Sequence, residues 1–343
     1  MNASGAIVDV HAHYFPADIA DFARDLGDPR WPALRIDDTG TAGQIMLGDT
    51  VFRNVKAPLW DLPARLAELD GHGVGLQVVS PTPIMLTYWG EPQAGLAFAR
   101  AVNDSLAAYV GAAQGRLAGL ATVPLQDVGL AVGELRRTVS ELGLAGAEIG
   151  TTVGERELDD PYLAPFFAAA ADLDAVLFLH PLDGGGNAIR RGGQPYSFGL
   201  GMLTDTAMAA TALVCGGVLE RHPHLRVGLV HGGGTLPWAA PRLKIAATAM
   251  MSKPLRPSAF DELVARMWVD TLVFDPEHLR PLVRRFGTEH VMVGTDYPFI
   301  PGQLAGAGQF VAAAVQAGAL KPAEAPAVLS ANAAAFISRR SHP

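Results

Sequence analysis

Eight short apolar runs punctuate the chain, at 7–10, 76–80, 117–123, 145–149, 176–179, 227–230, 268–274 and 291–294. They are rich in Val, Leu and Ile and apolar on both faces, the pattern of strands buried in a parallel sheet. Segments between them, such as 124–143 and 162–173, carry apolar residues at helical spacing. Strand–helix alternation repeated eight times predicts a closed (β/α)8 barrel, a TIM barrel of the α/β class. An open, doubly wound sheet is the alternative, but it gathers its functional residues at one crevice. Here polar residues end strands along the whole chain.

Two stretches exceed a minimal barrel. The segment 15–62 is too long for a simple connection, and 35–55 alternates around turn signals such as Asp38-Thr39-Gly40. It predicts a small β insertion over the barrel mouth. The stretch after Pro301 is Ala-rich and helical in pattern, ending in a polar tail. Gly184-Gly185-Gly186 follows a strand with no Walker-type Lys after it, and reads as a mobile loop. With these additions, 1–343 reads as one barrel domain.

Composition narrows the partners. The chain has 343 residues, 49% hydrophobic and 17% charged, which is the make-up of a folded globular enzyme. A net charge of -8 and the lack of any basic cluster argue against nucleic acid. No apolar run approaches the ~18 residues that span a bilayer, and no signal peptide is visible, so a cytoplasmic protein without a membrane partner is expected. Cys215, the single cysteine, lies in an apolar run and reads as a buried structural thiol.

The chemistry sits at strand ends. In Val8-Asp9-Val10-His11-Ala12-His13 two imidazoles stand two apart, so strand alternation points them the same way. His180 ends the fifth strand, His231 the sixth, and Asp296 follows the eighth in Gly294-Thr295-Asp296-Tyr297-Pro298. All lie at C-terminal strand ends, where barrel enzymes place their sites. A buried Asp among apolar residues needs a partner, and a cation supplies one. Three imidazoles and one carboxylate suit Zn²⁺, although other divalent transition metals take the same donors. His222 and His224 precede the sixth strand, at the opposite end, and read as surface structure. His72 closes a helix, and His278, His290 and His342 carry no assigned role.

These motifs resemble the amidohydrolase superfamily, and within it the branch of decarboxylases typified by 2-amino-3-carboxymuconate 6-semialdehyde decarboxylase. The likeness also includes Val51-Phe52-Arg53-Asn54-Val55, Val123-Pro124-Leu125-Gln126, His231-Gly232-Gly233-Gly234 and the Phe299 that completes Tyr297-Pro298-Phe299. It implies that His11, His13, His180 and Asp296 hold one Zn²⁺ with water. It also implies that His231 is the acid/base residue and that Asp296 shares in catalysis. Arg53 and Arg242 match two arginines that clamp a substrate carboxylate, the second donated across a homodimer. Phe198 and Phe299 fall at positions that border the substrate.

Departures concern the pocket. Leu182 and Phe198 stand where the branch has tryptophans, the loop 184–193 is rich in Gly and Arg, and Glu148 stands where a neutral amide is usual. The resemblance thus implies a decarboxylase of a small unsaturated or aromatic carboxylic acid. A hydrolase or hydratase using the same metal-activated water is the alternative, and a silent binding protein is disfavoured by the complete residue set.

Overall fold

A computed structural model describes residues 6–339 and turns the eight apolar runs into one closed sheet. In chain order the strands are β1 (Ile7–Tyr14), β2 (Pro32–Ile36), β3 (Ala42–Leu47), β4 (Thr50–Lys56), β5 (Val74–Pro81), β6 (Leu117–Ala121) and β7 (Gly146–Gly150). There follow β8 (Thr152–Val153), β9 (Arg156–Glu157), β10 (Val176–His180), β11 (Arg226–Leu229), β12 (Trp268–Asp270) and β13 (Val291–Met292). The barrel order is β1-β5-β6-β7-β10-β11-β12-β13, with parallel neighbours throughout. It closes where Val10 N–H donates to the Val293 carbonyl at 2.8 Å and His13 N–H to the Tyr297 carbonyl at 2.7 Å. The fold is a (β/α)8 barrel, and the open sheet is excluded.

Alternation sorts the strand residues into two layers. Val78, Leu120, Val176, Phe178, Val230 and Met292 fill the barrel interior, and Phe336 of the C-terminal helix Asn332–Ile337 plugs its lower end. Their neighbours, among them Val79, Leu177, Leu179, Leu229 and Val293, face the surrounding helices. The insertion is the antiparallel sheet β2-β3-β4, with its own core of Phe15, Trp31, Ile45 and Leu59.

Three expectations need correction. In the Gly184–Gly186 run, Gly184 and Gly185 pack against the next helix rather than standing free, while Gly186 is exposed. A Cβ on Gly185 would lie 2.1 Å from the Gly201 carbonyl, so the glycines are there for close backbone approach. The helix Ser197–Cys215 is long and apolar enough to cross a membrane, contrary to the expectation that no segment comes near. Thr204, Asp205, Thr206 and Thr211 break it into pieces when read as a linear run, yet its many small residues keep it apolar as a helix. It packs beside the barrel, with 44% of that stretch buried. Cys215, at its end, is half-buried rather than buried. His342 lies outside the described residues.

Candidate metal centre

Plain alternation along β1 would not build this site. Val8 and Val10 belong to the interior cluster, while Ala12 and Tyr14, of the same parity, face the helices. A register shift between Asp9 and Ala12 accounts for the switch, because β1 advances three residues while β5 advances two. This bulge turns His11 and His13 inward, whereas Asp9 stays outside to accept bonds from Gln77 at 2.8 Å and Thr295 at 2.6 Å. Bulges commonly re-aim side chains beside active sites. Behind β1 the fully buried Arg65 donates to the His13 carbonyl, to Pro58 O at 2.9 Å and to Gln77 at 2.6 Å. The ligand-bearing strand is thereby held from outside the barrel.

One ligand atom from each of His11, His13, His180 and Asp296 lies within 4.8 Å of every other. His13 Nε2 stands 3.0 Å and His11 Nε2 3.9 Å from Asp296 Oδ1, and neither nitrogen makes a hydrogen bond. The outer nitrogens are engaged instead. His11 Nδ1 meets Asp270 Oδ2 at 2.7 Å, His180 Nδ1 meets the Pro181 carbonyl at 2.9 Å, and His13 Nδ1 lies 3.5 Å from Ser80 Oγ. Buried Nε2 atoms without partners, converging on a carboxylate, fit a divalent cation with three nitrogen ligands and one oxygen.

The charges agree with that fit. Burial opposes ionisation of Asp296, but His13 in contact with it and the nearby His11 and His231 hold its carboxyl far below the usual range. Burial also pulls His11 down, yet Asp270 and the carboxylates around it win and lift the imidazole to about 9. His13 and His180 are lowered by burial. A divalent cation would displace the Nε2 proton of His11 and take over the neutralisation of Asp296.

Above the cluster opens a cavity of about 580 Å³. His13, His180, His231 and Asp296 form its floor, and Arg53, Phe299, Phe198, Leu182 and Asp205 are among its walls. Phe299 lies 5.4 Å from the His13 ring, and the Arg53 guanidinium stacks on Phe299 at 4.4 Å. An aromatic ring thus links the metal ligands to a cation from β4. His231 and Asp296 both adopt left-handed backbone, with φ of 55° and 54°.

Comparison with known proteins places the chain that carries this site. A family model described as amidohydrolase matches residues 8–339. The chain belongs to the amidohydrolase family.

It is 34% identical over 308 residues to the 2-amino-3-carboxymuconate-6-semialdehyde decarboxylase of Dictyostelium discoideum, covering 87% of this chain and 84% of that one. Among solved structures, the 5-carboxyvanillate decarboxylase of Sphingomonas paucimobilis matches with a TM-score of 0.77 and 27% identity, over 97% and 98% of the two chains. A dihydroxybenzoic acid decarboxylase of Polaromonas sp. shares the fold at TM-score 0.73 and 20% identity, over 97% and 96%; that structure holds manganese and 2-nitroresorcinol.

In this amidohydrolase most of the residues singled out from sequence meet. Arg53, Phe198 and Phe299 share the cavity with the cluster and His231. Arg242 does not line it; it is exposed on the helix Leu236–Ala249. His222 is half-buried and His224 exposed just before β11, away from the cavity. Glu148 points into the barrel beneath the ligands, fully buried, where Ser80 Oγ donates to its Oε2 at 2.6 Å. Sequence reasoning missed Asp270, the carboxylate on His11, although strand parity could have found it. Trp268 and Asp270 alternate inward on β12 as Phe178 and His180 do on β10.

Proposed function

We propose that this amidohydrolase is a metal-dependent, non-oxidative decarboxylase of a small unsaturated or aromatic carboxylic acid, loaded with Zn²⁺ and working as a homodimer. The carrying observation is that a buried three-imidazole, one-carboxylate cluster, His231 and the Arg53 guanidinium open onto one cavity. The decarboxylase likeness over most of the chain supports the same reading. His11, His13, His180 and Asp296 would hold the ion, whose Lewis acidity lowers the pKa of a water ligand toward neutrality.

The protein's own groups do the rest. Arg53 offers a planar fork to a substrate carboxylate, and its stacking on Phe299 limits the orientations it can take. Burial, followed by the His11 charge, lowers the His231 imidazole to about 4, so it rests as a neutral proton acceptor. A proton taken up from water makes it a strong acid, suited to passing that proton to the carbon that loses its carboxylate. The bond to the carboxylate breaks, its electron pair stays on that carbon, and CO₂ leaves. No oxidant is consumed. Phe198, Phe299 and Leu182 supply apolar walls that limit water beside the reacting carbon.

Homodimer formation is supported by the helix Leu236–Ala249. Trp238 is 86% and Ile245 59% exposed on the helix that also carries Arg242, a surface better suited to a second copy than to water. The deciding experiment measures CO₂ release by metal-loaded protein from muconate-like and hydroxybenzoate acids. Hydrolysis of a lactone or amide without CO₂ from any acid would replace this reading with a hydrolase. Donation of Arg242 is tested by co-expressing His231→Ala with Arg242→Ala. Shared sites restore activity to about a quarter of all sites in a random mixture of symmetric dimers. Confirmed mixed dimers without rescue would place Arg242 outside the site.

A further inference from the structure

Asp270 ends β12, is fully buried, and divides its two carboxylate oxygens between different tasks. Oδ2 faces His11 Nδ1 at 2.7 Å. Oδ1 accepts the backbone N–H of Gly232 at 2.8 Å and of Leu272 at 3.1 Å. Gly232 follows His231 within a turn in which both residues take left-handed backbone, with φ of 55° for His231 and 62° for Gly232. Room for this arrangement is made by Gly294, where a Cβ would fall 2.6 Å from Asp270 Cβ and 3.0 Å from both Asp270 Oδ2 and His11 Cβ.

The geometry points to Asp270 as a positioning residue that sets the His11 tautomer for metal binding while anchoring the turn that carries His231. A carboxylate oxygen can only accept, so it keeps a proton on His11 Nδ1; the proton a cation displaces is then the one on Nε2, whose lone pair faces the other ligands. The same carboxylate makes the imidazole a stronger donor to a cation. The bond to Gly232 fixes the strained turn at its first peptide after His231. One side chain thus ties a ligand on β1 to the acid/base residue after β11. The inference rests on the metal-dependent reading above.

Asp270→Asn separates the tasks. Its carboxamide oxygen can keep both backbone bonds, so a purely structural role predicts normal zinc affinity. Its NH₂ group, however, now faces His11 and favours a lone pair on Nδ1, which moves the proton to Nε2. Chelator-stripped full-length protein should therefore bind zinc about 10–100-fold more weakly after this change. On a His11→Ala background the same change should add nothing. Asp270→Ala should also weaken zinc binding, and it alone should speed hydrogen exchange at Gly232. Wild-type affinity in Asp270→Asn overturns the tautomer role, and unchanged Gly232 exchange in Asp270→Ala overturns the anchoring role. A wild type that binds no zinc or other divalent ion overturns the metal reading itself. If Asp270→Asn does not fold, ¹⁵N-histidine spectra of the wild type decide: His11 must carry its proton on Nδ1 when zinc is bound, and the opposite tautomer refutes the proposal.

Discussion

Glu148→Gln offers a quantitative test of the barrel interior. Burial raises the Glu148 carboxyl to about 8 from an ordinary 4.5, outweighing the Ser80 hydrogen bond and the His11 charge that lower it. An unfolded chain releases this proton near the ordinary value, whereas the folded one keeps it until about 8. Between the two the unfolded state binds fewer protons, so stability falls as pH rises through that window and is level on either side. Each pH unit corresponds to about 1.4 kcal/mol, for a total on the order of 5 kcal/mol, an upper bound once relaxation and water entry share the burden. Glutamine has the same shape and no proton to lose. Ser80 can still donate to its amide oxygen, while Oε1, which has no partner now, becomes an NH₂ in the same condition. That substitution costs about 1–3 kcal/mol independently of pH. Urea unfolding of the chelated wild type and variant from pH 4 to 9 reads the slope, since groups that do not interact with Glu148 cancel in the difference. The metal-free protein is required because a nearby cation would favour ionised Glu148. Relative to wild type, the variant should gain stability steadily from pH 5 to 8. A flat difference, or one of opposite sign, would refute a neutral Glu148.

Other substitutions probe the site more simply. His180→Ala should lose most bound metal by elemental analysis, and full occupancy would remove His180 from the ligand set. His231→Asn should keep its metal but lose about 10²–10⁴-fold in turnover on whichever acid the panel identifies. Gly234→Ala would set a Cβ 2.0 Å from the Leu203 carbonyl at a φ of 61°. Its unfolding free energy in urea should fall by at least the ~1–3 kcal/mol typical of backbone strain, and an unchanged midpoint would show that the turn can relax.

The barrel was legible because interior and exterior layers are both apolar, which gives continuous Val/Leu/Ile runs. His180 and Asp296 were legible because they interrupt or follow such runs. That His11 and His13 share a face was legible too, but the reason that face is the inner one was not. Simple alternation would have put them on the side of Asp9, and only the bulge between Asp9 and Ala12 turns them inward. Bulges depend on the register with a distant strand, here β5, and leave no local mark in β1. Arg65 was invisible for a similar reason. It sits in an ordinary helix, and its burial follows from the carbonyls of Pro58 and His13 converging on it from two other segments.

Under the proposed function, the four histidines of the site divide two jobs between them. His11, His13 and His180 each have a polar group beside Nδ1: the Asp270 carboxylate, the Ser80 hydroxyl and the Pro181 carbonyl. Those neighbours occupy the outer nitrogen and leave Nε2 to face its fellow ligands. His231 sits 5.3 Å from His11 and 5.5 Å from His180, ring to ring, yet its Nδ1 is buried without a hydrogen-bond partner. Among the described residues no partner faces that nitrogen, so the His231 tautomer is not fixed from behind the ring. A ligand must keep one lone pair fixed, whereas an acid/base residue must gain and lose a proton within each turnover. The division between them is therefore written behind the rings rather than in the sequence of the imidazoles themselves.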